Sequence, residues 1–149
     1  MNPYNLADTF AVLKPDLSID PVTVSLTVYR DLDRNYAGFK SHTLVSRHAF
    51  DMDWPTWERH PAGDELVCLL SGQADLILRT PRGDEVVNLA AAGSFVLVPR
   101  NTWHTAHISE PTELLFITPG EGTENVETPE DLRANRPDKL NKTMESNHD

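Results

Sequence analysis

The sequence predicts an all-β domain, a sandwich or barrel of short strands. Three observations lead there. Segments rich in β-branched and apolar residues recur along the middle of the chain, and from Glu65 onward they start roughly 9–11 residues apart. The links between them carry turn chemistry: Pro61-Ala62-Gly63-Asp64, Ser71-Gly72-Gln73, Pro81-Arg82-Gly83-Asp84 and Pro99-Arg100-Asn101-Thr102. Finally, the 149 residues suit a single domain.

Taken in order, residues 1–21 read as an N-terminal arm with one short helix, Asn5 to Lys14, closed by Pro15. The β signal begins at Val22 to Arg30, V-T-V-S-L-T-V-Y-R, with short alternation. It continues through His42–Phe50, Glu65–Leu70, Ala74–Thr80, Glu85–Leu89, Ser94–Val98, Trp103–Ile108 and Thr112–Thr118. Residues 22–120 therefore form the barrel domain. Residues 121–149 are polar, with Val126, Leu132, Ala134, Leu140 and Met144 as their apolar side chains. Such a segment offers little burial to offset its ordering entropy and reads as a tail or docked arm, with a helix start after Thr128 at Pro129-Glu130-Asp131. Strands such as Leu114-Leu115-Phe116-Ile117 are apolar on both faces, which calls for a second layer or a second subunit and predicts a homodimer.

Acidic residues number 23 against 13 basic, a formal net charge of −10. That balance opposes nucleic-acid backbones and anionic membranes, both of which need a positive field. No apolar run approaches the ~20 residues of a spanning helix. Met1-Asn2-Pro3-Tyr4 lacks the charged and apolar regions of a secretory signal, and Cys68 is the single cysteine. A cytoplasmic protein is expected.

Polar residues gather where strands meet turns. Glu58 and His60 are two apart, so on a strand they share a face. The reversal through Pro61 to Asp64 brings Glu65 opposite them, and Trp103-His104 follows another turn. Imidazoles and carboxylates converging in a dry barrel mouth suit a divalent cation, which offsets the cost of burying carboxylate charge. The spacing resembles the two signature motifs of the cupin superfamily. His60, four intervening residues, Glu65, six more and Gly72 follow the second half of the first motif. Gly93, five residues, Pro99, Arg100-Asn101, two more and His104 follow the second. Glu58 stands where the family has its first histidine, Asn101 replaces a glycine, Ile108 the terminal asparagine and Met52 the upstream glycine.

The resemblance implies a double-stranded β-helix, or jelly-roll barrel. It also implies a divalent metal (Zn, Mn, Fe or Ni) held by His60, Glu65 and His104, with Glu58 as a fourth ligand or, failing that, a general base. Glu58 can instead pair with Arg59 or Arg100. Trp57 and Trp103 flank these residues and form either a wall for a small organic ligand or packing for the core or dimer face. His107, three past His104, falls on the opposite face, and Cys68 reads as a buried strand residue. The competing class is a small-molecule binding or sensing protein of the same fold that holds no metal.

Overall fold

Residues 1–129 are described by a computed structural model. β1 (Thr9–Leu13) and β2 (Ile19–Thr23) form an antiparallel hairpin, followed by helix α1 (Val28–Asn35) and a 3-10 turn at Ala37–Phe39. Then come β3 (Thr43–Phe50), β4 (Trp57–Arg59), β5 (Glu65–Ser71), β6 (Ala74–Thr80) and β7 (Gly83–Leu89). β8 (Phe95–Val98), β9 (His104–Ile108), β10 (Thr112–Thr118) and β11 (Glu124–Val126) complete the order. The strands build two antiparallel sheets, β2-β1-β3-β10-β5-β8 and β11-β4-β9-β6-β7, the jelly-roll barrel the sequence predicts. Among the described residues no helix is long and apolar enough to cross a membrane.

Alternation places the core. On β10 Leu114 and Phe116 are fully buried while Leu115 and Ile117 are half-buried, and β5 repeats this with Val67 and Leu69 inward, Leu66, Cys68 and Leu70 outward. The inward set meets Leu76, Leu78, Ala106 and Ile108 of the other sheet and Trp54 of the β3–β4 loop. A second cluster, Phe10, Val12, Val28, Tyr29, Leu32, Phe39 and Leu44, packs α1 onto β1 and β3. The outward face of the six-stranded sheet keeps Phe95 and Leu97 exposed at 53% and 58%.

The N-terminal expectations are corrected. Residues 9–13 form a strand and not the helix placed at Asn5–Lys14, because Phe10 and Val12 alternate into the second cluster while the backbone pairs with both β2 and β3. The helix lies instead at 28–35, inside the segment read as a strand from Val22 to Arg30. Leu26 of that segment is fully exposed, so its alternation buries nothing, whereas Val28, Tyr29 and Leu32 make a helical stripe. β2 ends at Thr23, and its Pro21 is tolerated on an edge strand.

The polar segment after 120 also contributes structure: β11 pairs with β4 and Arg59 is ion-paired to Glu124. The helix start expected at 129–131 falls across the end of the described residues, and positions 130–149 of the tail lie outside them. Cys68 is half-buried and His107 exposed. Two positions of the motifs have structural reasons. A Cβ at Gly72 (φ +86°) would lie 2.4 Å from the Pro111 carbonyl oxygen, and Asn101, at a motif position expected to hold glycine, takes the left-handed conformation (φ +63°) that glycine and asparagine tolerate best.

Candidate metal centre

Glu58 lies at the centre of β4, directly opposite His104, the first residue of β9. His60 follows β4 as the chain turns, and Glu65 opens β5. Two bonds donated by backbone amides lock the turn at 60–64 against the turn at 99–102: Asn101 N donates to the His60 carbonyl at 2.9 Å, and Arg100 N donates to the Asp64 side chain at Oδ1, 2.7 Å away. All four side chains are therefore delivered by the two sheets and by turns that hold each other, and each is at most 3% exposed.

Glu65 Oε1 lies 3.3 Å from His60 Nε2 and 3.1 Å from His104 Nε2. Glu58 Oε1 lies 3.2 Å and 3.7 Å from the same nitrogens. One ligand atom from each of the four residues falls within 4.8 Å of the others. Ligands 2.0–2.1 Å from a tetrahedral ion sit about 3.3 Å apart, and neighbours around an octahedral ion about 3.0 Å apart. Three of the four contact distances, 3.1–3.3 Å, match such a shell, and the fourth, from Glu58 to His104, is longer at 3.7 Å.

Surrounding hydrogen bonds aim the donors. Thr123 Oγ1 donates its one proton to the Gly120 carbonyl at 2.9 Å, so toward His60 it accepts, and His60 Nδ1 donates to it at 2.9 Å. His104 Nδ1 donates to the Thr102 carbonyl at 3.0 Å. Both neutral imidazoles thus carry their proton on Nδ1 and turn the Nε2 lone pair inward. Thr118 Oγ1 donates to Glu65 Oε2 at 2.6 Å, leaving Oε1 for the cluster. His60 Nε2, Glu65 Oε1 and His104 Nε2 are buried without a well-aligned hydrogen bond. Lone pairs facing lone pairs in a dry interior need positive charge between them, from a cation or from protons.

Proton affinities agree. Burial alone would lower the His60 pKa, but the Glu65 charge and hydrogen bonding to Glu58 and Glu65 raise it to about 10. His104 is likewise raised to about 9 against burial, chiefly by hydrogen bonding to Glu58 and Glu65. Burial would raise Glu65, yet the two imidazoles hold it well below the usual carboxylate range. Two carboxylates are balanced either by one divalent ion between neutral imidazoles or by two imidazolium protons.

The structure brings His60, Glu65, His104 and Glu58 together, and Glu58 pairs with the imidazoles. Arg59 instead pairs with Glu124, and the backbone of Arg100 caps Asp64. Trp57 and Trp103 are placed elsewhere. On β4 Trp57 faces away from Glu58, and the Arg79 guanidinium covers its ring at 4.8 Å; Arg59 covers Trp103 at 4.5 Å. Both rings thus pack in cation–π pairs on the side of the sheet facing away from the cluster. The ring beside the cluster is Trp54, 6.2 Å from His104 and 5.9 Å from Phe116 between centroids. Thr118, Thr123 and Trp54 are the site residues that sequence reasoning missed. Threonine is a common residue type, and in sequence Thr118 and Thr123 stand far from the residues they orient, while Trp54 lies in the β3–β4 loop outside the motif positions.

No protein-family model matches the chain, and no curated protein matches it. Among solved structures it is similar to a cupin-2 domain protein from Shewanella frigidimarina, 18% identical with a TM-score of 0.45 over 52% of this chain and 70% of that one. A cupin superfamily protein from Desulfitobacterium hafniense is 22% identical, with a TM-score of 0.43 over 51% of this chain and 65% of the other. A mutant oxalate decarboxylase from Bacillus subtilis is 19% identical, with a TM-score of 0.48 over 56% of this chain and 23% of its own length.

Proposed function

We propose that this chain, a cupin in sheet order and motif spacing, holds one divalent cation on His60, His104, Glu65 and Glu58 and binds a small organic molecule. The observation that carries the cation is the inward aim of both Nε2 lone pairs, set by Thr123 and Thr102, at carboxylate oxygens 3.1–3.7 Å away. Two neutral imidazoles and two carboxylates sum to −2, which a divalent ion cancels. Nitrogen and oxygen donors without thiolate suit Zn²⁺, Mn²⁺, Fe²⁺ or Ni²⁺. When bound, the ion supplies Lewis-acid polarisation, and the chain's contribution is to hold and orient it. Glu58, within 3.2 Å of His60 Nε2, is read as the fourth ligand in preference to a general base.

The test is metal quantification of untagged protein, then chelation and reloading with each ion in turn. A stoichiometric ion, lost in His104→Ala, supports the reading. Protein that takes up none of the four ions while keeping its full thermal stability refutes it. The raised His60 and His104 proton affinities favour one second reading, a metal-free binding protein whose cluster is closed by two imidazolium protons. Small-molecule binding that is identical with and without chelator, in protein that never held metal, selects that reading.

For the outward face of the six-stranded sheet, with Phe95 and Leu97 exposed beside Leu66, Leu70, Leu115 and Ile117, a second copy of the chain is the proposed cover.

A further inference from the structure

β1 pairs with β3 only at Thr43–Val45, and past that point the two strands part. A cavity of about 640 Å³ opens there, between the hairpin, the start of α1 and residues 47–49 of β3. Its size lies within the ~300–1,000 Å³ of small-molecule pockets. Phe10, Val24 and Val28 supply apolar walls, while Tyr29 and His48 supply the polar element. None of the four cluster residues lines it. Between it and the cluster run three ring contacts: His48 to Phe116 at 5.9 Å, Phe116 to Trp54 at 5.9 Å and Trp54 to His104 at 6.2 Å.

We propose that this cavity is the small-molecule site of the chain, and that it takes a neutral, flat aromatic molecule carrying one hydroxyl or carbonyl group. Three features select that chemistry. Phe10 and His48 meet edge-on at 5.4 Å and Tyr29 stacks on His48 at 23° and 6.3 Å, so one wall of the cavity is a packed cluster of rings, a surface that suits a flat aromatic guest. The Tyr29 hydroxyl and His48 Nε2 lie 2.7 Å apart and can exchange roles as donor and acceptor. When Tyr29 donates to the imidazole, the phenol oxygen accepts from a guest hydroxyl. When the imidazole donates, the phenol proton is turned to a guest carbonyl. The cation at the rim, Arg47, is ion-paired to Glu113, and the chain as a whole carries −10, so no uncompensated positive charge draws a carboxylate or phosphate.

The inference rests on the reading of the chain as a small-molecule binder and is independent of the cation. Its test uses 2-naphthol and 2-naphthoate as probes, titrated by calorimetry or NMR into the full chain, as purified and after chelator treatment. The naphthol is expected to saturate one site, with the naphthoate at least tenfold weaker and chelation without effect. Tyr29→Phe keeps the ring, and loss of one neutral hydrogen bond weakens naphthol binding by about 3- to 10-fold. Ala49→Trp, at an exposed lining position, blocks the mouth and abolishes binding, with circular dichroism confirming the fold. Absence of saturable naphthol binding up to about 1 mM, equal binding of the two probes, binding unchanged in both variants, or binding lost on chelation each overturn the assignment. Metal content measured on the same two variants is expected to stay native, which separates failure here from failure of the cation reading.

Discussion

Replacing Thr123 by valine tests how the centre is held together. The substitution keeps the shape of a side chain that is 4% exposed and removes one oxygen. That oxygen accepts from His60 Nδ1 and donates to the Gly120 carbonyl, both at 2.9 Å. Two buried polar atoms are thereby stranded, at a cost of about 1–3 kcal/mol for the unpaired imidazole proton, with a smaller penalty for a carbonyl that relaxes toward the turn. At ~2–4 °C per kcal/mol for a chain of this size, the metal-free midpoint falls by about 3–10 °C. The larger signature is in the cation. Once Nδ1 loses its acceptor, the imidazole is free to flip or to place its proton on Nε2, which removes a lone pair from the shell. Loss of such an orienting partner weakens metal binding by about 10- to 100-fold, or 1.4–2.8 kcal/mol. Competition with a chromogenic chelator reads the affinity directly, and melting with and without metal reads the same loss as a reduced metal-induced shift. Thr123→Ser, which restores the oxygen, should recover most of the affinity. A Thr123→Val protein that binds metal as tightly as the native one would show that Thr123 does not set the His60 tautomer, and the argument for inward lone pairs would fail at that residue.

Metal binding should tighten with pH. The metal-free imidazoles are held to about 10 and about 9, so near neutrality the ion displaces two protons; the apparent affinity rises by about two log units per pH unit, flattening above pH 9–10, as titrations in buffers of different ionisation enthalpy would show. In metal-free protein the sign reverses: with both values raised above 6.5, the stability they confer is complete below that pH and is lost as pH climbs through 9–10, measurable by chemical denaturation across that window. Gly72→Ala should destabilise by more than about 3 kcal/mol, since φ is +86° and the new carbon meets Pro111 backbone at 2.4 Å; a near-native denaturant midpoint would contradict so close an approach at this turn. Light scattering should report a dimer for the native chain and a monomer for the Phe95→Lys, Leu97→Lys double variant at unchanged helix and strand content; a native monomer at micromolar concentration refutes the second-copy cover.

Of the seven strands β3 and β5 through β10, β3, β5, β8 and β10 are legible because they alternate over a buried face, and β6, β7 and β9 because their apolar or β-branched residues lie between turns rich in Gly, Pro, Asn or Asp. The N-terminal region is not. Leu6, Phe10 and Leu13 also fit a helical stripe, and what decides for a strand is pairing of Thr9–Leu13 with β2, 6 to 14 residues away, and with β3, 30 to 34 residues away. β11 is three residues with a single apolar side chain, Val126, and is held by β4 and the Arg59–Glu124 pair, so local composition could not announce it. At the cluster, His60, Glu65 and His104 are readable from spacing. Trp57 and Trp103 share that neighbourhood in sequence, but a residue adjacent to a ligand on a strand points to the other face.

What the linear chain determined was a set of amphipathic strands and turns, and the residue types available to grip a cation. The tertiary structure alone decided that four of those residues meet, and which nitrogen of each imidazole does the meeting. Spacing can place a histidine on an inward face, but its tautomer belongs to whatever accepts from its far nitrogen. For His60 that acceptor is a threonine 63 positions downstream, brought alongside by the segment that adds β11 to β4.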